Sequence, residues 1–544
     1  MQQRKVVIVG GGSAGWMTAA YLNGALNKQG TEQNVLIELL ESPDIPRISV
    51  GEATIPSMRH LLAVVGVDER EFMQATDATF KQSIKYCNWV HNDSSFYHHP
   101  FSSMRVQPID RAGRDWLKSD RSIPFMETCS AQPIICEMGL APLMLGKWDM
   151  GSRLNYAYHM NAQKFADYLR DFSTARGVVH TLANLTGVDM QGPDKIVAVT
   201  TDQQQRLTAD LFVDCTGFKA KLIEEKMNVG FEDCSQWLLC DRAITMHLPY
   251  DKFYPGMIRP YTTATALSAG WIWDIPMQNQ RSVGYVHASQ FISIEQAEQE
   301  LRAYQGPGTE QLKARVVDFK VGRRQGNWRG NCVAIGLSGG FIEPLESTGL
   351  YLSDLGAVLL AEHFPYDDQD MDILAGRYNR LMANRFYEIL DFINMHYCMT
   401  KRTDTAFWRE VQKPERITER LKAKLAFWRI KPPSAHDFQD QWYPGMVTTG
   451  ADTPSSLSAD SRAAIDTGGL WNHESYECIL YGMGFLDDEC RQRYGPDLPP
   501  TSVHPAIIQR LQMARQKLPP HAIWLNRVLG MPEYPTAYQP KGWL

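Results

Sequence analysis

Lys81, Glu346 and a glycine-spaced turn at Gly10, Gly12 and Gly15 are the residues of this chain with the clearest capacity for chemistry or for holding a reactive group. A lysine is a mobile hydrogen-bond donor with no acceptor, and its pKa falls readily once it leaves water. The plainer alternative for Lys81 is a solvated surface residue, the usual fate of lysine. Glu346 stands just before Ser347-Thr348-Gly349, which open a helical apolar pattern through Leu350, Leu352 and Leu355. A helix start offers unpaired N–H donors and the positive end of the helix dipole, so Thr348 and Gly349 suit an anion. The competing reading is an ordinary cap, with Ser347 or Thr348 bonding the first turn and Glu346 a favourable charge beside it. Trp271 and Trp273 sit two apart on an expected strand, so both indoles face one side, where paired tryptophans more often fill a core than line a site.

The elements that must position these residues begin with a β-α-β unit. A strand is expected over Lys5–Val9, a helix from Gly15 to about Asn27, and a second strand over Val35–Leu40, with Glu41 at its end. In that context the first glycine permits the tight turn, the second lets backbone approach a pyrophosphate, and the third lets helix pack on strand. Ser13 and Ala14 lie at the helix N-terminus that faces the phosphates, and Glu41 is placed to bond ribose hydroxyls. Further strands are expected at Ile196–Thr200, Leu211–Asp214, Trp271–Ile275 and Val333–Ile335, and helices at Leu359–Phe364, Arg377–Ile393 and Ile417–Trp428. Breaks fall at Lys431–Ser434 and Gly450–Ser461. The expected fold class is α/β, a Rossmann-like dinucleotide-binding core over residues 1–365 followed by a mainly helical region over 366–544.

Composition narrows the partners. The chain is 44% hydrophobic and 21% charged, enough for substantial cores, and its net charge of -6 with pI near 6.2 gives no basic footprint for nucleic acid or anionic membrane. Mean hydropathy is -0.32 and no apolar run approaches the roughly 20 residues of a spanning helix. Ten cysteines without paired spacing and an N-terminus unlike a secretory segment point to the cytoplasm. No set of His, Cys or carboxylates at ligand spacing argues for a metal.

Two later stretches favour FAD over NAD. Asp210–Gly217 is a strand ending in a Thr-Gly turn, and Val333–Gly340 is a strand ending in glycines ahead of a helix. Both resemble flavin-contacting segments of aromatic-hydroxylase-like flavoproteins, which makes Gly336 and Leu337 cofactor contacts, with Leu337 standing where that group has Asp. No second strand-GxGxxG-helix unit appears, so no internal NAD(P)H site is expected.

Gly10–Met17 (GGGSAGWM), Pro46–Pro56 (PRISVGEATIP), Phe80–Trp89 (FKQSIKYCNW), Gly270–Pro276 (GWIWDIP) and Glu343–Gly349 (EPLESTG) together resemble the flavin-dependent tryptophan halogenases. The resemblance implies a flavoprotein monooxygenase-like core that takes FAD as FADH2 from a separate NAD(P)H-dependent flavin reductase. O2 and a chloride or bromide ion then yield a hypohalous oxidant that halogenates a small indole or tryptophan-type aromatic. It implies flavin contact at Ala53 and a hydrogen bond or haloamine at Lys81. It places Glu346 where the oxidant is polarised or the ring proton accepted, halide at Thr348 and Gly349, and Trp271 and Trp273 along the passage between flavin and substrate. Substrate walls fall at His98, Pro100, Phe101 and Trp471, with Pro100 standing where the family has an aromatic; the alternative for His98 and His99 is a pair of loop or partly buried histidines.

One departure concerns the substrate. Where tryptophan-specific members carry a tyrosine-rich acidic stretch, Gly445–Gly469 has no tyrosine, so indole or a larger indole-bearing molecule competes with free tryptophan as the expected substrate. The alternatives are a flavin monooxygenase that hydroxylates the ring directly, and a flavin-binding carrier without catalysis. A homodimer is left open.

Overall fold

The computed structural model describes residues 3–27, 34–47, 50–102, 112–146, 154–438 and 470–534. These residues fold as two units, each assembled from three separated stretches: Met1–Ala78, Met160–Cys234 and Phe319–Tyr387 in one, Thr79–His159, Ser235–Asp318 and Glu388–Leu544 in the other. The expected contiguous division near residue 365 does not coincide with them. Strand pairing joins stretches more than a hundred residues apart, which local patterning does not reveal.

The first unit is built on a six-stranded sheet ordered Trp328–Arg329, Cys332–Ala334, Leu211–Asp214, Arg4–Val9, Val35–Glu41, Val179–Leu182. The four pairs from Cys332–Ala334 to Val179–Leu182 are parallel. The central strand, RKVVIV, keeps Val6, Val7 and Ile8 wholly out of water, as a strand covered on both faces requires. The Ser13–Leu26 helix returns the chain to the next parallel strand, and everything from Gly15 to Asn23 is buried. Its small residues allow close packing against the Gly349–Glu362 and Ala162–Thr174 helices. A three-stranded meander, Leu185–Met190, Ile196–Thr201 and Arg206–Thr208, adds to this unit.

The second unit holds a seven-stranded sheet ordered Arg315–Asp318, Arg242–Pro249, Gln280–His287, Gly270–Pro276, Thr262–Ala266, Ser83–Cys87, Phe96–Pro100. Its pairs are antiparallel except Thr262–Ala266 with Ser83–Cys87. A separate short strand, Thr79–Lys81, pairs antiparallel with Ala157–Asn161, setting Lys81 opposite Ala157. The later helices Glu419–Ile430, His473–Gly482 and Pro505–Lys517 belong here, and the Met371–Cys398 helix contributes its residues from Glu388 onward.

The expected strands lie within two residues of those observed, and the Arg377–Ile393 pattern is the middle of the longer Met371–Cys398 helix. Gly450–Ser461 lies outside the described residues.

Candidate active site

Three segments of the first unit meet at the carboxyl ends of neighbouring parallel strands, where open α/β sheets bind ligands. Gly10 has φ +120°, and a Cβ there would lie 2.2 Å from the carbonyl oxygen of Cys215. A Cβ on Gly15 would lie 1.9 Å from the oxygen of Gly10, whereas one on Gly12 would meet nothing within 4 Å. The first and third glycines are thus demanded by the protein itself, and the second leaves backbone open to approach. Ser13 Oγ donates to Ala162 O at 3.2 Å, and Ala162 N–H donates to Val50 O at 3.2 Å, which ties the stretch leading to Ala53 beside the glycine turn. Asp214 was not singled out from the sequence, yet its carboxylate accepts from Thr216 N, Thr216 Oγ1, Leu222 N and Ile223 N at 2.7–2.9 Å and so builds the Thr-Gly turn. Gly336, at φ +79°, comes so close to the helix start that a Cβ would sit 2.7 Å from Ala14 Cβ. Leu337 lies in the same tight turn, Gly336–Ser338.

Glu41 leans over Gly11, whose Cβ would fall 2.1 Å from the Glu41 carboxyl carbon. Its carboxylate accepts from Trp16 Nε1 at 3.2 Å and Arg47 Nε at 3.0 Å, and pairs with His180 at 3.0 Å. Burial opposes ionisation, but His180 and Arg47 hold the group below the usual carboxylate range. Glu52, next to Ala53, and Asp354, in the second turn of the Gly349–Glu362 helix, are instead pushed up by burial to about 7.

Glu346 closes the Pro344–Glu346 turn and is 2% exposed. Ser347 follows at φ +59°, a left-handed kink, and Thr348 stands at the helix cap position. No side chain caps this helix. Thr348 Oγ1 is buried and has no hydrogen-bond partner, and a Cβ on Gly349 would meet nothing within 4 Å. Thr348 therefore does not cap the helix it opens, and its buried hydroxyl is left for something else.

In the second unit Lys81 is completely buried, against the surface reading, and its Nζ lies 5.1 Å from the centroid of the Phe101 ring. Its neighbours on both sides are pinned. Thr79 Oγ1 donates to Pro276 O at 2.6 Å, Phe80 N–H to His521 Nε2 at 3.2 Å and Gln82 N–H to Pro260 O at 2.7 Å. Phe101 N–H donates to Gln82 O at 3.1 Å, which brings the Phe96–Pro100 strand end beside the lysine. His521 uses Nδ1 on Ile258 O at 3.0 Å, and burial pushes it down to about 4, so it is neutral and accepts through Nε2. His159, between Thr79 Oγ1 at 3.2 Å and Thr262 Oγ1 at 2.9 Å, is held neutral by burial and by the Lys81 charge.

Trp271 and Trp273 do share a face, with ring centroids 6.4 Å apart, and both indole N–H groups are buried without a partner.

The substrate residues need one correction. His98 Nδ1 meets Ser83 Oγ at 2.9 Å and Nε2 meets Glu137 at 2.9 Å, with Lys85 on the other Glu137 oxygen at 2.8 Å. Both its nitrogens are spent in the interior, and Pro100 lies on the same strand face. Alternation along the strand turns His99 and Phe101 the other way, Phe101 toward Lys81 and His99 toward Phe392, 5.8 Å between centroids. Trp471 is 7% exposed and stacks on Phe392. Cys478 Sγ donates to His98 O at 3.0 Å. The tyrosine-free stretch Gly445–Gly469 lies outside the described residues. Among the described residues no group of His, Cys or carboxylates could hold a metal ion, and no helix is long and apolar enough to cross a membrane.

Residues 5–495 match the family model described as tryptophan halogenase. The chain is 35% identical to tryptophan 7-halogenase RebH of Lentzea aerocolonigenes over 511 residues, covering 89% of this chain and 90% of that protein. Its fold superposes on a tryptophan halogenase from Shewanella frigidimarina with a TM-score of 0.84 at 30% identity, covering 99% of this chain and 98% of the other. The tryptophan 6-halogenase SttH from Streptomyces toxytricini gives 0.81 at 30% identity, over 96% and 99% of the two chains. An α/β flavoprotein core, a helix start open to an anion and a buried lysine beside an aromatic ring thus coincide with a match along nearly the whole sequence, and the chain belongs to the tryptophan halogenase family.

Proposed function

We propose that this chain is a flavin-dependent halogenase acting on an indole-bearing aromatic, with Lys81 carrying the oxidised halogen and Glu346 taking the ring proton. The observation that carries the reading is the burial of Lys81: an amine wholly removed from water, 5.1 Å from an aromatic ring, has no use as a solvated surface charge.

The residues present fit FAD. Gly12 leaves the backbone at the Ser13 helix start open to a pyrophosphate, and Glu41 is ionised for ribose hydroxyls. The Ala53 stretch and the Gly336-Leu337 turn flank the same glycine loop. When bound in its reduced form, FAD supplies the two electrons with which O2 and halide become hypohalous acid. Thr348 and Gly349 hold the halide with a buried hydroxyl and uncapped amides, as a helix N-terminus does for an anion. The Lys81 ammonium donates a hydrogen bond to hypohalous acid, or its neutral amine takes the halogen as a haloamine with loss of water. The ring then attacks the halogen: a carbon–halogen bond forms as the halogen–oxygen bond breaks and its electron pair leaves as water with a proton from the Lys81 ammonium, or as the halogen–nitrogen bond of the haloamine breaks and returns the pair to the lysine nitrogen, and the carbon surrenders its proton to the Glu346 carboxylate. Trp271 and Trp273, buried side by side on one face of their strand, are the residues we assign to lining the passage of the oxidised halogen. Trp471, Phe101 and His99 orient the ring. A separate flavin reductase provides the reduced cofactor. Without tyrosines in Gly445–Gly469 the site favours indole or an indole within a larger molecule over free tryptophan.

The test is mass spectrometry of indole and tryptophan incubated with the protein, FAD, a flavin reductase, NADH, air and bromide. A product with the paired-isotope pattern of bromine, lost without bromide and in Lys81→Ala, is expected. An oxygenated, bromine-free product would put ring hydroxylation in its place.

A further inference from the structure

Trp471 is held from behind. Its ring and that of Phe392 lie 4.0 Å apart with 9° between their planes, which is van der Waals contact over a whole face. Nothing can enter between them, so one face of Trp471 is spent within the protein. Its backbone N–H donates to Glu388 Oε1 at 3.2 Å. Glu388 and Phe392 are four residues apart on the Met371–Cys398 helix and therefore project from the same side, one turn gripping both the backbone and the ring of Trp471. Tyr476 meets the Phe392 ring edge-on, 4.9 Å between centroids, and fixes its orientation.

The turn itself is anchored. Asp391, 1% exposed, accepts from Thr418 Oγ1 at 2.7 Å, Arg420 at 3.0 and 3.1 Å, and Lys424 at 3.2 Å. A buried carboxylate with this many partners resists any rotation of the helix, because losing them strands charge away from water.

We propose that Phe392 and Glu388 are positioning residues for the aromatic substrate: they fix the plane of Trp471, so that a ring stacks only on its opposite face and presents one edge for halogenation. The inference rests on the reading of Trp471 as a substrate wall. A free tryptophan side chain would rotate about two bonds and offer either face. Backed by Phe392 it is a one-sided, rigid platform, and regiochemistry becomes a property of the helix behind the site.

The experiment uses the holoenzyme with indole as probe. It measures calorimetric binding without halide, kcat and KM for bromination, and the ratio of brominated isomers, for wild type, Phe392→Leu, Phe392→Tyr and Glu388→Gln. Phe392→Leu is expected to weaken binding and raise KM on the order of tenfold, the worth of one aromatic stack, with kcat little changed and bromine spread over more ring positions. Phe392→Tyr restores the wild-type pattern, and Glu388→Gln shifts it in the same direction as Phe392→Leu by less. Unchanged binding and isomer ratio in both Phe392→Leu and Glu388→Gln, or tighter binding in Phe392→Leu as if a plug had been removed, overturns the inference. If Phe392→Leu melts far below wild type, Glu388→Gln decides alone. A wild type that binds indole but halogenates nothing defeats the proposed function and leaves the binding series to judge the platform.

Discussion

The indole of Trp273 lies flat against Gly284, its partner across the Gly270–Pro276 and Gln280–His287 strands, so that a Cβ at position 284 would sit 2.2 Å from the ring. The tryptophan cannot move toward its own sheet, and the glycine cannot acquire a side chain. Gly284→Ala is therefore expected to push Trp273 off its position at a cost of about 1–3 kcal/mol, the usual size of overpacking in a core. Urea denaturation measures the loss. If Trp271 and Trp273 have the role proposed for them, the same variant should also consume more NADH per halogenated product; wild-type stability and yield together would show that the ring has room to spare.

Gly10 and Gly12 are separated by one residue and should respond oppositely. A Cβ on Gly10 meets Cys215 backbone at 2.2 Å and a φ of +120°, so Gly10→Ala is expected to damage the fold itself. Gly12→Ala meets no protein atom within 4 Å and should melt like wild type while FAD affinity falls at least tenfold. Fluorescence titration with FAD and a thermal melt separate the two. FAD affinity retained in Gly12→Ala would remove the pyrophosphate from that turn.

Thr348→Val keeps the shape of the side chain and deletes a hydroxyl that is buried without a partner. An unsatisfied buried hydroxyl costs about 1–3 kcal/mol, so the variant should be at least as stable as wild type. If the hydroxyl serves halide, the bromide concentration for half-maximal rate should rise roughly tenfold, the factor that 1.4 kcal/mol commands. Greater stability with an unchanged bromide requirement would assign the hydroxyl no part in binding.

His521 binds fewer protons when folded than when unfolded across the interval from its ordinary 6.5 down to about 4. Its contribution is present above pH 6.5 and is lost as pH falls toward 4. The unfolded chain takes up a proton there that the native chain refuses, and the integrated loss is up to about 3 kcal/mol. His521→Asn should flatten the pH dependence of the urea midpoint over that interval, and because Phe80 N–H bonds to this ring it should also slow halogenation. An unaltered pH slope would mean that His521 protonates without disturbing the fold.

Much of the first unit was legible because its signals are local. The run Val6–Val9 followed by GxGxxG states a buried parallel strand and a tight turn within a dozen residues. The substrate wall was not. His98 and His99 are adjacent and chemically identical, and only the register Lys85↔His98, with Glu137 behind it, decides which of them is consumed in the interior. Phe392 lies in an unremarkable helical stretch, and its role depends on a stack with a residue 79 positions away. Asp214 read as the last residue of a strand, whereas four hydrogen bonds make it the keystone of the turn after it. Gly284 had no motif at all; a glycine in the middle of an alternating strand opposite a tryptophan was the available sign.

Because the Leu211–Asp214 strand must wait for Cys332–Ala334 on one side while Arg4–Val9 has been on hand since the start, the sheet cannot be finished while the ribosome is still short of residue 334. Some three hundred residues of nascent chain carry exposed apolar strand edges through most of synthesis. Aggregation during synthesis is thus the risk that this strand order carries. A truncation at residue 365 would cut away the Met371–Cys398 helix, whose Asn379 accepts from Trp328 N at the edge of the same sheet. Such a fragment should accumulate as aggregate, however complete its nucleotide fingerprint looks on paper.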